Sequence, residues 1–266
     1  MNDDSRNIKM PVLFIGHGNP MNAIKDNRFT QTLSSFGQEL KKLNPIAILV
    51  VSAHWLSTGT YVSTTPTPPT THDFSGFPEE LFRVQYPVPG APELAIETLN
   101  LIISAVVHED NKWGLDHGAW SILRHLFPQA DIPTFQLSID YKKPPQWHFD
   151  LAKELKPLRE KGVLIIGSGN IVHNLFLIDF SDDAKPFPWA TEFDEIIKER
   201  LLNKDYRTLT DYKDISNSYL AVPSNDHYLP LMYTLGLSEK DEQLKFVYEE
   251  IQNASISMRS FVIGNY

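Results

Sequence analysis

The sequence predicts an α/β fold: one domain, a central mostly parallel or mixed sheet flanked by helices. Three observations carry that reading. The runs Ile46–Ser52 and Val163–Gly167 are continuously apolar and rich in β-branched residues, as strands buried on both faces of a parallel sheet are. Such runs alternate with stretches of helical spacing up to about residue 175. No repeat, low-complexity linker or shift in composition divides residues 1–266.

Residues 1–9 read as a frayed leader. Val12–Ile15 is a short strand that stops at Gly16, presents His17 at its tip, and turns at Gly18-Asn19-Pro20. Asn27–Leu43 places Phe29, Leu33, Phe36, Leu40 and Leu43 on one helical face and ends at Asn44-Pro45. Ile46–Ser52 follows as a buried strand leading into Ala53-His54-Trp55. Thr64–Tyr86 carries several prolines and then HDFSGFPEELF; its aromatic content predicts an ordered, packed loop. Pro92–Val106 reads as a helix, Leu115–Pro128 contains another from about Gly118, and Ile132–Ile139 reads as a strand. Pro144–Glu160 reads as a helix, Val163–Gly167 as a strand, Pro188–Leu202 as an amphipathic helix. Leu220–His227 leads into a further helix, and Leu244–Val262 adds one or two strands.

The composition is ordinary for a globular chain, with 42% hydrophobic and 21% charged residues, and the length suffices for a sizeable core. A net charge of −9 without any basic block argues against a nucleic-acid or anionic membrane partner. The lack of cysteine excludes disulfides and thiolate metal sites. The polar N-terminus lacks a signal-peptide apolar region. The longest apolar run, Ile46–Val51, is far short of the roughly 20 residues of a membrane span. Together these features predict a cytoplasmic protein.

The informative residues are histidines, nine in all. His17 and His54 follow separate apolar runs directly, and His227 follows Leu220-Ala221-Val222 across a short turn. Neutral imidazole is the commonest protein ligand for zinc and suits iron, and strand ends give it rigid support. His17, His54 and His227 are therefore candidate metal ligands at the C-terminal ends of strands; the alternative is loop histidines capping strand carbonyls. His173, six residues beyond its strand on a helix opened by Gly169-Asn170, is either a fourth ligand or a free acid/base. His117, in Asp116-His117-Gly118, is either a turn histidine or a hydrogen-bond partner for a substrate hydroxyl. His72 reads as structural in the aromatic loop, His125 and His148 as surface or half-buried, and His108 as exposed. Gly167–Asn170 lacks the Lys-Ser/Thr of a phosphate loop and the third glycine of a dinucleotide fingerprint. Neither a G-x-S-x-G elbow nor an H-E-x-x-H helix occurs.

With these residues in view, the chain resembles the class III extradiol ring-cleaving dioxygenases of the DOPA 4,5-dioxygenase type, which have a LigB-like catalytic fold. The matching segments include FIGHGNPMNAI (Phe14–Ile24), VVSAHW (Val50–Trp55), HDFSGFPEELF (His72–Phe82), WGLDHGAWSIL (Trp113–Leu123), GSGNIVHNL (Gly167–Leu175), PWATEFD (Pro188–Asp194) and HYLPLMY (His227–Tyr233). They are collinear over about Pro11–Gly236. The resemblance implies metal ligation by His17, His54 and His227, a substrate-side role for His117, and His173 as acid/base or metal neighbour. It implies non-haem iron(II) for activity, with zinc(II) as the expected rival occupant in purified protein. It also implies a catechol such as L-DOPA and dioxygen as partners, and 4,5-cleavage to a muconic semialdehyde. Asn225-Asp226 stands before His227 where Pro-Glu is common in the family, which should alter support of the ligand more than ligation. Rival readings are a zinc hydrolase on the same histidines and a non-catalytic metal-binding protein of related fold.

Overall fold

The computed structural model describes residues 9–181 and 184–266. Most of the expected leader lies outside the described residues; its last residue, Lys9, lies 3.3 Å from the Glu239 carboxylate.

β1 (Val12–Gly16) is buried along its whole length. Val12 and Phe14 enter the core on one side of the sheet and Leu13 and Ile15 the core on the other, the two-residue alternation of a pleated strand. α1 (Arg28–Lys41) begins with a capping box: Asn27 Oδ1 accepts the Thr30 N–H at 3.0 Å, and Thr30 Oγ1 accepts the Asn27 N–H at 3.0 Å. Its apolar face packs onto the sheet as the spacing predicts. β2 (Ala47–Ser52), like β1, is buried on both faces.

The middle of the chain is more broken than its sequence suggests. β3 (Leu56–Ser57), β4 (Thr60–Ser63) and α2 (Glu79–Phe82) flank the aromatic loop. α3 (Pro92–Leu101) stops short of the expected Val106, because the Glu154 carboxylate accepts the Ile103 and Ser104 N–H groups at 2.5 and 3.2 Å and draws the chain out of the helix. β5 (Val107–Asp110) then pairs with β4, and α4 (His117–Leu126) follows. The expected strand Ile132–Ile139 divides into β6 (Thr134–Gln136) and β7 (Ile139–Asp140): the Leu137 N–H still bonds Val50, but the Ser138 N–H turns to Tyr61. The expected helix Pro144–Glu160 is two helices, α5 (Pro145–Ala152) and α6 (Lys156–Glu160), because Pro157 cannot donate within a continuous helix.

β8 (Val163–Gly169) runs two residues beyond the expected strand and no helix opens at Gly169-Asn170; His173 sits before a single 3-10 turn and bridges to Ile256. α7 (Pro188–Leu202), α8 (Tyr206–Thr210) and α9 (Ser218–Ala221) lead to α10 (Leu229–Leu237), which is buried throughout and packs on β8 and α5. The tail forms β9 (Leu244–Tyr248), β10 (Ile251–Gln252), β11 (Ile256–Ser257) and β12 (Ser260–Ile263), more strands than expected.

The main sheet has six strands in the order β6-β2-β8-β1-β12-β9. β6, β2, β8 and β1 are parallel; β12 lies antiparallel to β1 and β9 antiparallel to β12, so the sheet is mixed. Among the described residues, no helix is long and apolar enough to cross a membrane.

His148 corrects the expectation of a surface or half-buried side chain: it is fully buried and shares a 3.0 Å hydrogen bond with the Tyr233 hydroxyl, between α5 and α10. Burial pushes its imidazole down from 6.5 to about 4, against the opposing charge of Asp140. The unfolded chain therefore takes up this proton first. Stability is complete above about pH 6.5 and falls as the pH drops toward 4. The His148→Gln variant is expected to lose about 3 kcal/mol less than the wild type across that window. Urea denaturation of the metal-free proteins at pH 7 and pH 4.5 measures the difference.

Candidate metal centre and active site

Strand register brings the site together. Gly169 lies opposite Gly16, and Ser168 lies opposite both Ile15 and Ser52, so β1, β8 and β2 end level. The backbone continues the alignment past the strands. The His17 N–H donates to Gly169 at 3.2 Å, the Ala53 N–H to Ser168 at 3.0 Å, and the Asn170 N–H to the His227 carbonyl at 2.8 Å. His17, His54 and His227 thus leave the same edge of the sheet. α10 reaches that edge because Gly169 has no side chain: a Cβ there would stand 2.2 Å from the His227 carbonyl oxygen.

His17 and His227 are oriented by hydrogen bonds at Nδ1, and the Nδ1 atoms of His54 and His117 both face Asp73. The Ser168 hydroxyl spends its one proton on the Gly118 carbonyl at 2.6 Å, so at the 3.0 Å contact with His17 it accepts and His17 Nδ1 donates. His227 Nδ1 donates to the Asp226 carboxylate in a short hydrogen bond. Asp73 Oδ2 lies 3.0 Å from His117 Nδ1 and 3.4 Å from His54 Nδ1. With Nδ1 protonated, His17 and His227 keep the lone pair on Nε2. The Nε2 atoms of His17 and His54 face each other at 3.2 Å.

The ring centres of His17, His54 and His227 form a near-regular triangle, 5.1, 5.2 and 4.9 Å on its sides, with planes inclined by 51–86°. With metal–nitrogen bonds of about 2.1 Å, imidazoles at tetrahedral angles on one ion have ring centres roughly 5 Å apart. His117 and His173 join the same cleft on different terms. The His117 ring is 3.8 Å from that of His54 and 5.8 Å from that of His17. The His173 ring is stacked on His227 at 3.5 Å, inclined by only 7°. Ligating atoms of His17, His54 and His117 lie within 4.8 Å of one another, as do those of His173, Asp226 and His227.

Burial sets the charge state. Desolvation, reinforced by the neighbouring imidazoles, keeps His17 and His54 well below the ordinary histidine range. Desolvation and His227 push His173 down to about 2. Burial alone would raise the carboxyls of Asp226 and Asp73, but their bonds to His227 and His117 outweigh it and hold both below the ordinary range. A cluster of neutral nitrogen donors backed by carboxylates is the chemistry a divalent transition metal requires.

The aromatic loop is packed, as its composition predicts. His72 is structural, donating to the Val84 carbonyl at 3.0 Å, and the Phe74 ring meets His117 edge-on at 5.4 Å. His108 is exposed and His125 half-buried. Sequence reasoning missed Asp73, Ser168 and Ser52. Asp73 stands in the HDFSGFP stretch, but a lone acidic residue there gave no sign that it would meet two histidines from elsewhere in the chain. A separate cavity of about 730 Å³ is lined by Asn22, Lys25, Phe77, Tyr248 and Gln252 and by none of the clustered histidines; the Asn22 amide donates to the His17 carbonyl at 3.3 Å.

Comparison with known proteins defines the class. The family described as the catalytic LigB subunit of aromatic ring-opening dioxygenase matches residues 11–264. The chain belongs to this LigB family and is an extradiol ring-opening dioxygenase. Its relatives include 4,5-DOPA dioxygenase extradiol of Escherichia coli (strain K12), 44% identical over 260 residues that cover 96% of this chain and 95% of that protein. The protein of the same description from Beta vulgaris is 35% identical over 260 residues, 96% of each chain. The crystal structure of an uncharacterized Escherichia coli K12 protein matches with a TM-score of 0.84 at 40% identity, covering 96% of this chain and 100% of that one.

The close approach of α10 to β8 gives a test. Gly169→Ala is expected to destabilise the fold by about 1–3 kcal/mol through overpacking. By pushing back the His227 carbonyl it should also weaken metal binding. Thermal unfolding and metal stoichiometry after dialysis measure the two effects.

Proposed function

We propose that this protein cleaves the ring of a catechol, L-DOPA in the first place, between carbons 4 and 5, using non-haem iron(II) held by His17, His54 and His227. Both atoms of dioxygen enter the product, a muconic semialdehyde. The observation that carries the proposal is the convergence of the Nε2 atoms of His17 and His54 to 3.2 Å. Two imidazole nitrogens on one divalent ion, with bonds of about 2.1 Å at open angles, come about this close. The triangular spacing with His227 favours that residue as third ligand over His117, whose ring lies too near His54 for both to meet one ion at open angles. Parallel stacking on His227 favours His173 as a free acid/base rather than a fourth ligand.

Bound iron(II) supplies the electron-transfer chemistry between catechol and dioxygen, which zinc(II) on the same nitrogens lacks. The chain's own residues handle protons and position. With Nδ1 tied to Asp73, His117 offers Nε2 to a catechol hydroxyl and accepts its proton. His173 is anchored by its backbone N–H to the Ala221 carbonyl at 2.8 Å; it takes the proton of the second catechol hydroxyl and returns it to oxygen as the ring opens. The names of the relatives support L-DOPA. We assign the amino-acid tail to the cavity beyond Asn22, where Lys25 and the Arg28–Glu250 ion pair offer both signs of charge.

The decisive experiment loads iron(II) anaerobically, adds L-DOPA, and then admits oxygen. The expected result is a yellow product with one dioxygen consumed per catechol. Absence of uptake with a panel of catechols, despite bound iron, would contradict the proposal. His173→Ala is expected to keep one metal per chain and lose turnover by roughly 10²–10⁴-fold; loss of the metal instead would make His173 a ligand. Lys25→Met should raise the KM for L-DOPA several-fold and leave that for dopamine, which has no carboxylate, unchanged.

A further inference from the structure

Among the described residues, Asp73 is the one carboxylate within 4 Å of two of the clustered histidines. Its Oδ1 accepts the backbone N–H of His117 at 2.8 Å, fixing where that residue begins α4. Its Oδ2 faces Nδ1 of His117 at 3.0 Å and Nδ1 of His54 at 3.4 Å. The loop that carries Asp73 is pinned to the chain before α4 by the Thr71 N–H to Leu115 carbonyl bond of 2.7 Å and by Trp120 Nε1, which donates to the Thr71 carbonyl at 2.8 Å. The neighbouring carboxylate cannot substitute: Asp116 is committed to the Ser52 hydroxyl, the Gln136 amide and the Ala119 N–H, and it already caps α4.

We propose that Asp73 is a positioning residue that sets the proton-bearing nitrogen of two rings at once, the metal-ligating His54 and the substrate-facing His117. The inference rests on the function proposed above. A carboxylate only accepts hydrogen bonds, so a ring that turns Nδ1 to Asp73 is favoured with its proton there and its Nε2 lone pair left for the site. On His54 that lone pair is the one facing His17 at 3.2 Å. On His117 it is the one open to a catechol hydroxyl. A single side chain thereby links readiness for metal to readiness for substrate, and carboxylates behind ligating histidines commonly act in this way.

Asp73→Asn tests the idea because it keeps the shape and changes only the hydrogen-bonding sense. An amide nitrogen opposite the two Nδ1 atoms meets donors, and the rings can accept from it only by moving their protons to Nε2. Turned over, the amide nitrogen meets the His117 N–H instead. With cobalt(II) as the probe, calorimetry and visible absorption are expected to show roughly 10–100-fold weaker binding. The thermal midpoint of the metal-free protein should stay within a few degrees of the wild type. On protein saturated with iron, KM for the catechol should rise as well as kcat fall. Asp73→Glu, which restores an acceptor, should recover most of the cobalt affinity. Cobalt binding by Asp73→Asn with wild-type affinity and spectrum would overturn the inference. So would a fall in thermal midpoint shared by both variants without recovery in Asp73→Glu, which would mark a merely structural role. Wild-type protein that binds cobalt tightly but opens no catechol would reject the proposed reaction while leaving the metal arm of this inference standing. Wild-type protein that binds no cobalt would reject both.

Discussion

The site hangs from the last turn of backbone at the end of β8. Ser168, Gly169 and Asn170 take hydrogen bonds from, or give them to, the chain beside each of the three histidines that ring the cleft. Ser168 also orients the His17 ring, and the bare Cα of Gly169 lets α10 descend far enough to deliver His227. Residues separated by more than two hundred positions therefore meet through one rigid element whose own side chains are buried on both faces. A strand in the middle of a parallel sheet is well suited to this, since its geometry is fixed by neighbours on either side.

That scaffold holds an arrangement the metal-free polypeptide would not choose. Imidazoles are gathered out of water with His17 and His54 meeting Nε2 to Nε2, while Ser168 and Asp226 accept from Nδ1 of His17 and His227. Hydrogen bonds behind the rings offset part of the cost of burying them. Metal affinity and fold stability are coupled in such a site, because the ion binds the assembled edge of the sheet and not the unfolded chain. Division of labour among the histidines follows from ring geometry. Those inclined to one another at about 5 Å suit ligation. In the proposed reaction, His173 and His117, lying flat on or close against those rings, are left to handle protons.

Much of this is legible in the sequence. The buried runs at Val12–Ile15, Ile46–Ser52 and Val163–Gly167 announce parallel strands by their unbroken apolar character, and a histidine beyond a strand end is informative because few structural roles demand one there. What was hidden is tertiary. Nothing local ends α3 at Leu101; the Glu154 carboxylate, from a distant helix, does. His148 has polar neighbours in sequence but sits under α10, which only the fold reveals. Asp73 is invisible for the same reason, since its significance lies in two contacts across the chain. Tail strands β10 and β11 are two residues each, too short to leave a periodic signal.

The central claim is that His17, His54 and His227 share one ion while His117 and His173 stand free beside it. Anomalous diffraction at the iron edge, from crystals loaded with iron(II) under anaerobic conditions, tests it most directly. The account predicts a single peak within bonding distance of Nε2 of His17, His54 and His227, with the other two imidazoles unligated. A peak bound by His117 in place of His227, or one seated away from the His17–His54 pair, would contradict it.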